Sequence, residues 1–298
     1  LKVPDTWDDV IEMLPALQRY GMNFYVPLAD ANALKSFSMT APFIYQQGGE
    51  LFSPDGTRTA IDSEEALKGF KLMTNIFTVY DMPLQVPSFY NHFRDGVLPI
   101  GISNFNTYVE LTTAAPELAG WWKIAPYPGI KNDQGEVVRW APGTGQGIVA
   151  FRDSGKQAQA WEFIKWWTSA EVQAEFGNMI ETLYGPAYRW NSANLQAFSQ
   201  LPWPKEDLNV ILEQWKWLKD IPHVPGDYML DRELSNAWNK VVFDGENQRK
   251  AIEDAVVLAR REIVKKLEEF GYMQEGQTLK TLKIPTIEEI NKARGETD

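Results

Sequence analysis

The sequence has no cysteine and only two histidines in 298 residues. The first absence excludes disulfides, thiolate nucleophiles and cysteine-ligated metals within these residues, although it does not fix the redox compartment. His92 and His223 have no metal-like partner four residues on, so a histidine-built metal site has no support. No Gly-x-Ser-x-Gly elbow is present, and no Gly-Lys-Ser/Thr closes a phosphate loop. No apolar run reaches the about eighteen residues that a membrane-spanning helix needs. No signal-peptide pattern and no lipidation cysteine stand at the start. Positive charge is in deficit, 29 Lys and Arg against 40 Asp and Glu, which leaves a net charge of −11. Such a balance argues against nucleic acid or an anionic membrane as partner.

What is abundant is apolar and aromatic: 44% of residues are hydrophobic and 13% are Phe, Trp or Tyr. That supports a sizeable core, in one large domain or two. Most of the 12 tryptophans are expected to pack there. The excess also fits a ligand cleft with aromatic walls.

Residues 140–176 organise the chain. Gly143, Gly145 and Gly147 alternate with Thr144 and Gln146, and a short apolar run over 147–151 predicts a buried strand. A dinucleotide fingerprint would need strand, glycine turn, then helix at once, and here a strand follows the glycines. Ser154 and Gln157 have capping-box spacing ahead of a helix carrying Trp161, Phe163, Trp166 and Trp167. Ser169 caps a second helix.

Other helix starts are Thr6 with Asp9, and Asp62 with Glu65. Pro15 is expected to kink the first helix, and Pro42 to break another over 31–47. Strands are expected over 23–28, 97–103, 122–127, 136–140 and 147–151, with a hairpin around Asp55-Gly56. Helices and strands mix throughout with few simple hairpins, which is an α/β pattern. There is no internal repeat and no low-complexity segment.

Several stretches resemble extracellular solute-binding proteins of the maltose-binding family, which deliver ligands to ABC importers. PDTWDDV is similar to that family's Pro-x-Thr-Trp helix start. IYQQGGELFSPDG resembles its helix, Gly-Gly and hairpin. FRDGVLPIGISNFNTY resembles its strand and aromatic site loop. GTGQGIVAF with QAQAWEFIKWWTSAEVQAEF resembles its crossing strand and helix pair, and WNKVVFDGENQRKAIEDAVVLARREI its closing helices. The matches keep the family's order.

The resemblance implies a type II periplasmic-binding-protein-like α/β fold, two lobes joined by crossing segments. It implies that residues 1–142 form the first part of the C-terminal lobe, 143–190 cross into the N-terminal lobe, and 191–298 return. It also implies that roughly a hundred residues of N-terminal lobe precede Leu1. In that case Trp161, Trp166 and Trp167 are expected to be partly exposed.

The implied function is recognition of a saccharide in an interlobe cleft, without turnover and without a cofactor or metal. The implied partner is an ABC permease, and the implied location is outside the cytoplasm, in the periplasm or on a cell-surface lipoprotein. Family positions map onto Phe37, Ser38, Asn104, Asn106, Tyr108, Thr144, Tyr228 and Arg232 as ligand contacts. Ser38, Asn106 and Arg232 depart from the family's aromatics, which points to a ligand unlike maltodextrin. Other readings remain: Asn104 as a helix cap with Phe105 and Tyr108 in the core, and Arg232 as an ion pair with Asp231 or Glu233. A secreted glycoside-processing enzyme, with two carboxylates facing across a cleft, is the alternative in another class. A non-transport binding module is the third.

Overall fold

Thr6 starts the first helix as its spacing predicts. Its hydroxyl accepts from the Asp9 backbone N–H at 3.1 Å, and the Asp9 carboxylate accepts from the Thr6 N–H at 2.8 Å. The structure, a computed structural model, describes residues 2–30, 33–143 and 145–295. Along the chain run α1 (Trp7–Gln18), β1 (Phe24–Tyr25), α2 (Phe37–Gln46), α3 (Glu64–Thr78), α4 (Phe89–Arg94), β2 (Ile100–Gly101) and α5 (Phe105–Ala114). Then come β3 (Ile130–Lys131), β4 (Val137–Val138), α6 (Gln157–Trp167), α7 (Ala170–Tyr184), α8 (Leu195–Phe198) and α9 (Lys205–Trp215). The chain closes with α10 (Asp227–Asp244), α11 (Gln248–Glu269), β5 (Met273–Gln274), β6 (Gln277–Thr278) and α12 (Ile287–Gly295).

By contact the chain divides into two units. One holds Leu1–Ile102, Pro126–Gly143 and Lys216–Asp298; the other holds Ser103–Ala125 and Thr144–Trp215. The sequence boundaries after 142 and 190 group the residues differently. Residues 103–125 and 191–215 join the second unit because their aromatic side chains pack together, a relation that chain order does not carry.

In the first unit β1 pairs in parallel with β2, Phe24 opposite Ile100 and Tyr25 opposite Gly101. Two further parallel bridges, Thr6 with Gly129 and Ala141 with Leu218, extend the α/β character. Trp7 anchors the core: its ring lies 4.8 Å from Phe43 and 6.5 Å, edge-on, from Phe24. The Trp7 indole N–H donates to Gln46 Oε1 at 3.1 Å, and the Gln46 amide donates to the Trp140 carbonyl at 3.3 Å. These buried polar groups are therefore satisfied. Helix α3 lies against α2 where Gly69 lets the backbones meet; a Cβ there would stand 2.3 Å from the Phe43 carbonyl oxygen. Helices α10 and α11 form an antiparallel pair that also packs on α3, with Phe77 edge-on to Trp238 at 5.1 Å.

One proline expectation is corrected: Pro42 sits inside α2, which does not break there. Pro15 sits inside α1, which continues to Gln18. Helix α2 starts only at Phe37, after a loop. The 122–127 and 147–151 stretches are not strands. Residues 145–151 are exposed, and among the described residues no strand pairs with them, so an apolar run alone did not make a strand.

In the second unit Ser169 caps α7, accepting from the Val172 N–H. Helix α6 begins at Gln157, and Ser154 lies in a short turn that Gly155, at φ +66°, separates from it. Trp167 packs edge-on against Phe176 (5.1 Å) and Trp190 (6.3 Å). The outer face of α6 is bare: Trp161 and Trp166 are 57% and 55% exposed.

Candidate functional site

The sequence-predicted residues fall into two groups, one in each unit. The first group lies where the start of α2 meets the start of α10. The chain leaving β1 is fixed there by Lys35, which is 1% exposed. Its ammonium donates to the carbonyls of Asp30 and Ala33 and stands 4.7 Å over the Trp238 ring, while its backbone N–H donates to Ser235 Oγ. Burial pulls the Lys35 pKa down, and the charge of Asp30 opposes that. Next to it, the N-terminus of α2 meets α10: the Phe37 N–H donates to Asp231 Oδ1 at 2.6 Å. Burial raises the Asp231 pKa, the Phe37 N–H lowers it, and Asp227 raises it further.

Phe37 itself is buried, its ring edge-on to Phe52 at 6.1 Å. Ser38 is exposed, its hydroxyl 2.8 Å from that of Ser36. Tyr228 and Arg232 stand one turn apart near the start of α10. The Tyr228 hydroxyl donates to Glu262 at 2.6 Å. The Arg232 side chain, 56% exposed, bonds Glu233 through Nε at 3.2 Å and Met229 Sδ through Nη2 at 2.9 Å. Tyr25, at the end of β1, stacks on Phe89 at 4.4 Å with the rings 9° from parallel. The first unit thus offers exposed hydroxyls, a carboxylate and a guanidinium, groups able to satisfy a polyhydroxylated ring.

The second group centres on Tyr108, in α5. Asn104 is the N-cap of that helix, accepting from the Asn106 and Thr107 N–H groups, while the Asn106 side chain is exposed. Tyr108 is buried against Trp122 (5.4 Å) and Trp203 (5.1 Å). Its hydroxyl donates to Asp207 Oδ2 at 2.6 Å and lies 3.4 Å from Arg189. Burial first, then the bond to Asp207 and its charge, push the phenol up to about 12, while Arg189 pulls the other way. Arg189 is held bidentately by Glu181, Nε–Oε2 3.0 Å and Nη2–Oε1 2.6 Å, with side chains 8% and 10% exposed. Thr144 lies outside the described residues.

Sequence reasoning missed Lys35, Asp231, Arg189, Glu181 and Asp207. The Phe37–Asp231 and Tyr108–Asp207 bonds span 194 and 99 residues, while Arg189–Glu181 and the bonds of the Lys35 ammonium are local but follow no helical or strand spacing. The absence of a metal-like partner beside His223 also needs correcting. Asp227 stands four residues on, with Oδ2 3.1 Å from Nδ1, at an exposed position. Among the described residues no group of three or more His, Asp or Glu could hold a metal ion. No helix among them is long and apolar enough to cross a membrane.

The family profile for bacterial extracellular solute-binding proteins matches residues 1–174. No curated protein sequence matches the chain. Among solved structures, a solute-binding protein of an ABC transporter from Thermotoga lettingae TMO, bound with α-D-tagatose, is similar with a TM-score of 0.64 and 19% identity. That match covers 88% of this chain and 65% of the relative, so the chain spans about two thirds of its length. The sugar-binding protein MalE of Xanthomonas citri gives a TM-score of 0.70 at 18% identity, covering 92% of this chain and 67% of that one. MalE of Listeria monocytogenes in complex with maltose gives 0.65 at 18% identity, covering 89% and 68%. The fold that these structures share is the type II periplasmic-binding-protein fold.

Proposed function

The chain belongs to the bacterial extracellular solute-binding proteins, and on that footing we propose that it takes part in capturing a saccharide for an ABC importer. The carrying observation is the family match, together with similarity in fold to proteins solved with tagatose and with maltose. The reading needs recognition only. Aromatic faces would cover the apolar faces of the sugar, and hydroxyls, carboxylates and Arg would satisfy its hydroxyls. Closure of two lobes would bury the ligand and create the surface that a permease reads. The proposed contacts in the first unit are Ser38, Tyr228 and Arg232, with the buried Phe37 holding the α2 end in place. Those in the second unit are Asn104, Asn106 and Tyr108, and Thr144 is a further proposed contact.

The proposed lobe arrangement has residues up to 142 and from 191 onward mostly in the C-terminal lobe, with 143–190 contributing to the N-terminal one. The exposed aromatic face of α6 supports that arrangement, because an apolar patch of this kind marks an interaction surface. Location outside the cytoplasmic membrane follows from the family, and attachment through a lipid anchor or the permease is part of the proposal.

The test is a thermal-shift and calorimetric screen over mono- and oligosaccharides, using a protein that contains both lobes. A ligand at about 100 times its dissociation constant adds roughly 2.7 kcal/mol of stability. Saturable binding of a sugar, with no new reducing ends after long incubation, is the expected outcome. Release of reducing ends moves the reading to a glycosidase, and tight binding of peptides or metal ions without any sugar sinks it.

A further inference from the structure

The second unit contains a cavity of about 240 Å3, of whose lining the saccharide reading uses only Tyr108. Its lining includes the aromatic residues Tyr108 and Trp122, the small residues Ala115 and Gly120, Leu111, and the acidic Asp207. The charges around it are almost all matched. Arg189 is taken by Glu181, and the Lys123 ammonium by Glu206 at 2.6 Å. Among the described residues Asp207 is the one charged residue in the lining; it accepts a hydrogen bond from the neutral Tyr108 hydroxyl and feels the Lys123 ammonium only at a distance.

A carboxylate accepts and cannot donate, so an occupant must bring donors or positive charge. An anion is repelled. A neutral alcohol fills the space but leaves a part-buried charge uncompensated, which costs free energy. A cation compensates that charge, and aromatic walls attract it through the negative faces of their rings. A chain of net charge −11 also favours the approach of cations over anions. The volume equals roughly eight waters, at about 30 Å3 each, enough for a cation of about seven heavy atoms.

We infer that this cavity binds a small alkylammonium ion, with Asp207 as the counter-charge and Tyr108 and Trp122 as the aromatic walls. The inference shares Tyr108 with the saccharide reading, and the choline and sugar arms of the test separate the two.

Choline chloride is the probe, titrated calorimetrically against its uncharged isostere 3,3-dimethylbutan-1-ol and against sodium chloride. Choline is expected to bind saturably and at least about tenfold more tightly than the isostere, a factor within the range of a cation–aromatic contact. Asp207→Asn keeps an oxygen acceptor for the Tyr108 hydroxyl while removing the charge. It is expected to weaken choline about tenfold and leave the isostere unchanged. Trp122→Leu, which does not touch the carboxylate, is expected to weaken choline by a smaller factor, and it serves if Asp207→Asn loses its cooperative melt. Absence of saturable choline binding overturns the inference. So does equal affinity for the isostere, or unchanged choline affinity in both variants. Displacement of choline by a neutral sugar overturns it too, and returns the cavity to saccharide binding.

Discussion

The Phe37 backbone N–H and the Asp231 carboxylate meet at 2.6 Å although 194 residues separate them. This one bond joins the start of α2 to the first turns of α10. It satisfies one of the orphan donors at a helix N-terminus, where Ser36 provides no side-chain cap. Burial makes the Asp231 charge costly and raises its pKa above the ordinary 3.8. The linkage sign follows. The stabilising contribution of this group is fully present below its unfolded pKa and is lost as pH rises through the raised folded value. Asp231→Asn is expected to keep the acceptor, remove the charge, and flatten the pH dependence on the acid side of neutrality. It should be at least as stable as wild type at pH 7. Asp231→Ala should cost about 1–3 kcal/mol, the range for a buried donor left without a partner. Urea denaturation of the three proteins at pH 5 and pH 7 is the check. An unchanged pH slope in Asp231→Asn would remove Asp231 from the titration.

Gly69 fixes the distance between α2 and α3. A methyl group there would meet the Phe43 carbonyl oxygen at 2.3 Å and its carbon at 2.7 Å, both backbone atoms with no rotamer to yield. Gly69→Ala gains up to about 1 kcal/mol of helix propensity, yet forcing two packed helices apart costs about 1–3 kcal/mol or more. The net expectation is destabilisation, seen as a lower denaturation midpoint with an unchanged m-value. A variant more stable than wild type would show that the contact is not limiting.

Arg189 and Glu181 form a buried pair inside the second unit, one that also supports Tyr108 and Trp203. Glu181→Gln leaves the guanidinium without its charge partner and is expected to cost about 3–5 kcal/mol. Replacing both, Arg189→Met with Glu181→Leu, is expected to recover most of that loss, since an apolar pair of similar volume needs no desolvated charge. Thermal melts of the single and double variants decide the matter. Equal loss in both would mean that the pair's hydrogen bonds to its surroundings outweigh its charge.

Much of the fold was legible where local chemistry decides. The Thr6–Asp9 box, the Ser169 cap and the amphipathic helices are written in a few consecutive residues, and each formed as read. The Asp62 cap missed by one residue, because Ser63 is the N-cap and Asp62 instead pairs with Arg260. The 147–151 run failed as a strand because a strand needs a partner, which apolar residues alone do not specify. For the site, the family positions could be listed, but their surroundings could not. Phe37 went into the core, Asn104 caps a helix, and the Phe37–Asp231 and Tyr108–Asp207 contacts arise only when distant segments meet. Such juxtapositions carry no periodicity, which is why the charged groups that hold the candidate site together were invisible in sequence.

Arg232 carries the sharpest prediction for ligand binding. Its side chain is 56% exposed, and its guanidinium rests on Met229 and on the buried Glu233. Without Arg232 the Glu233 carboxylate keeps only the Asn236 amide among the side-chain donors described, so Arg232→Ala is expected to cost about 1–3 kcal/mol of stability without ligand. Its planar fork can grip two adjacent sugar hydroxyls or the carboxylate of an acidic sugar. A saccharide would draw it from Glu233, whose carboxylate is also 3.3 Å from the Asn236 amide and so keeps a donor. With a saccharide bound, Arg232→Ala is expected to cost about 1.5–3 kcal/mol of affinity, the range for hydrogen bonds to a charged group. Arg232→Lys should recover little if the grip is bidentate, and more if charge alone matters. Calorimetry on a protein with both lobes, using the tightest sugar from the screen, makes the measurement. Unchanged affinity in Arg232→Ala would leave this residue as the surface partner of Glu233 and nothing more.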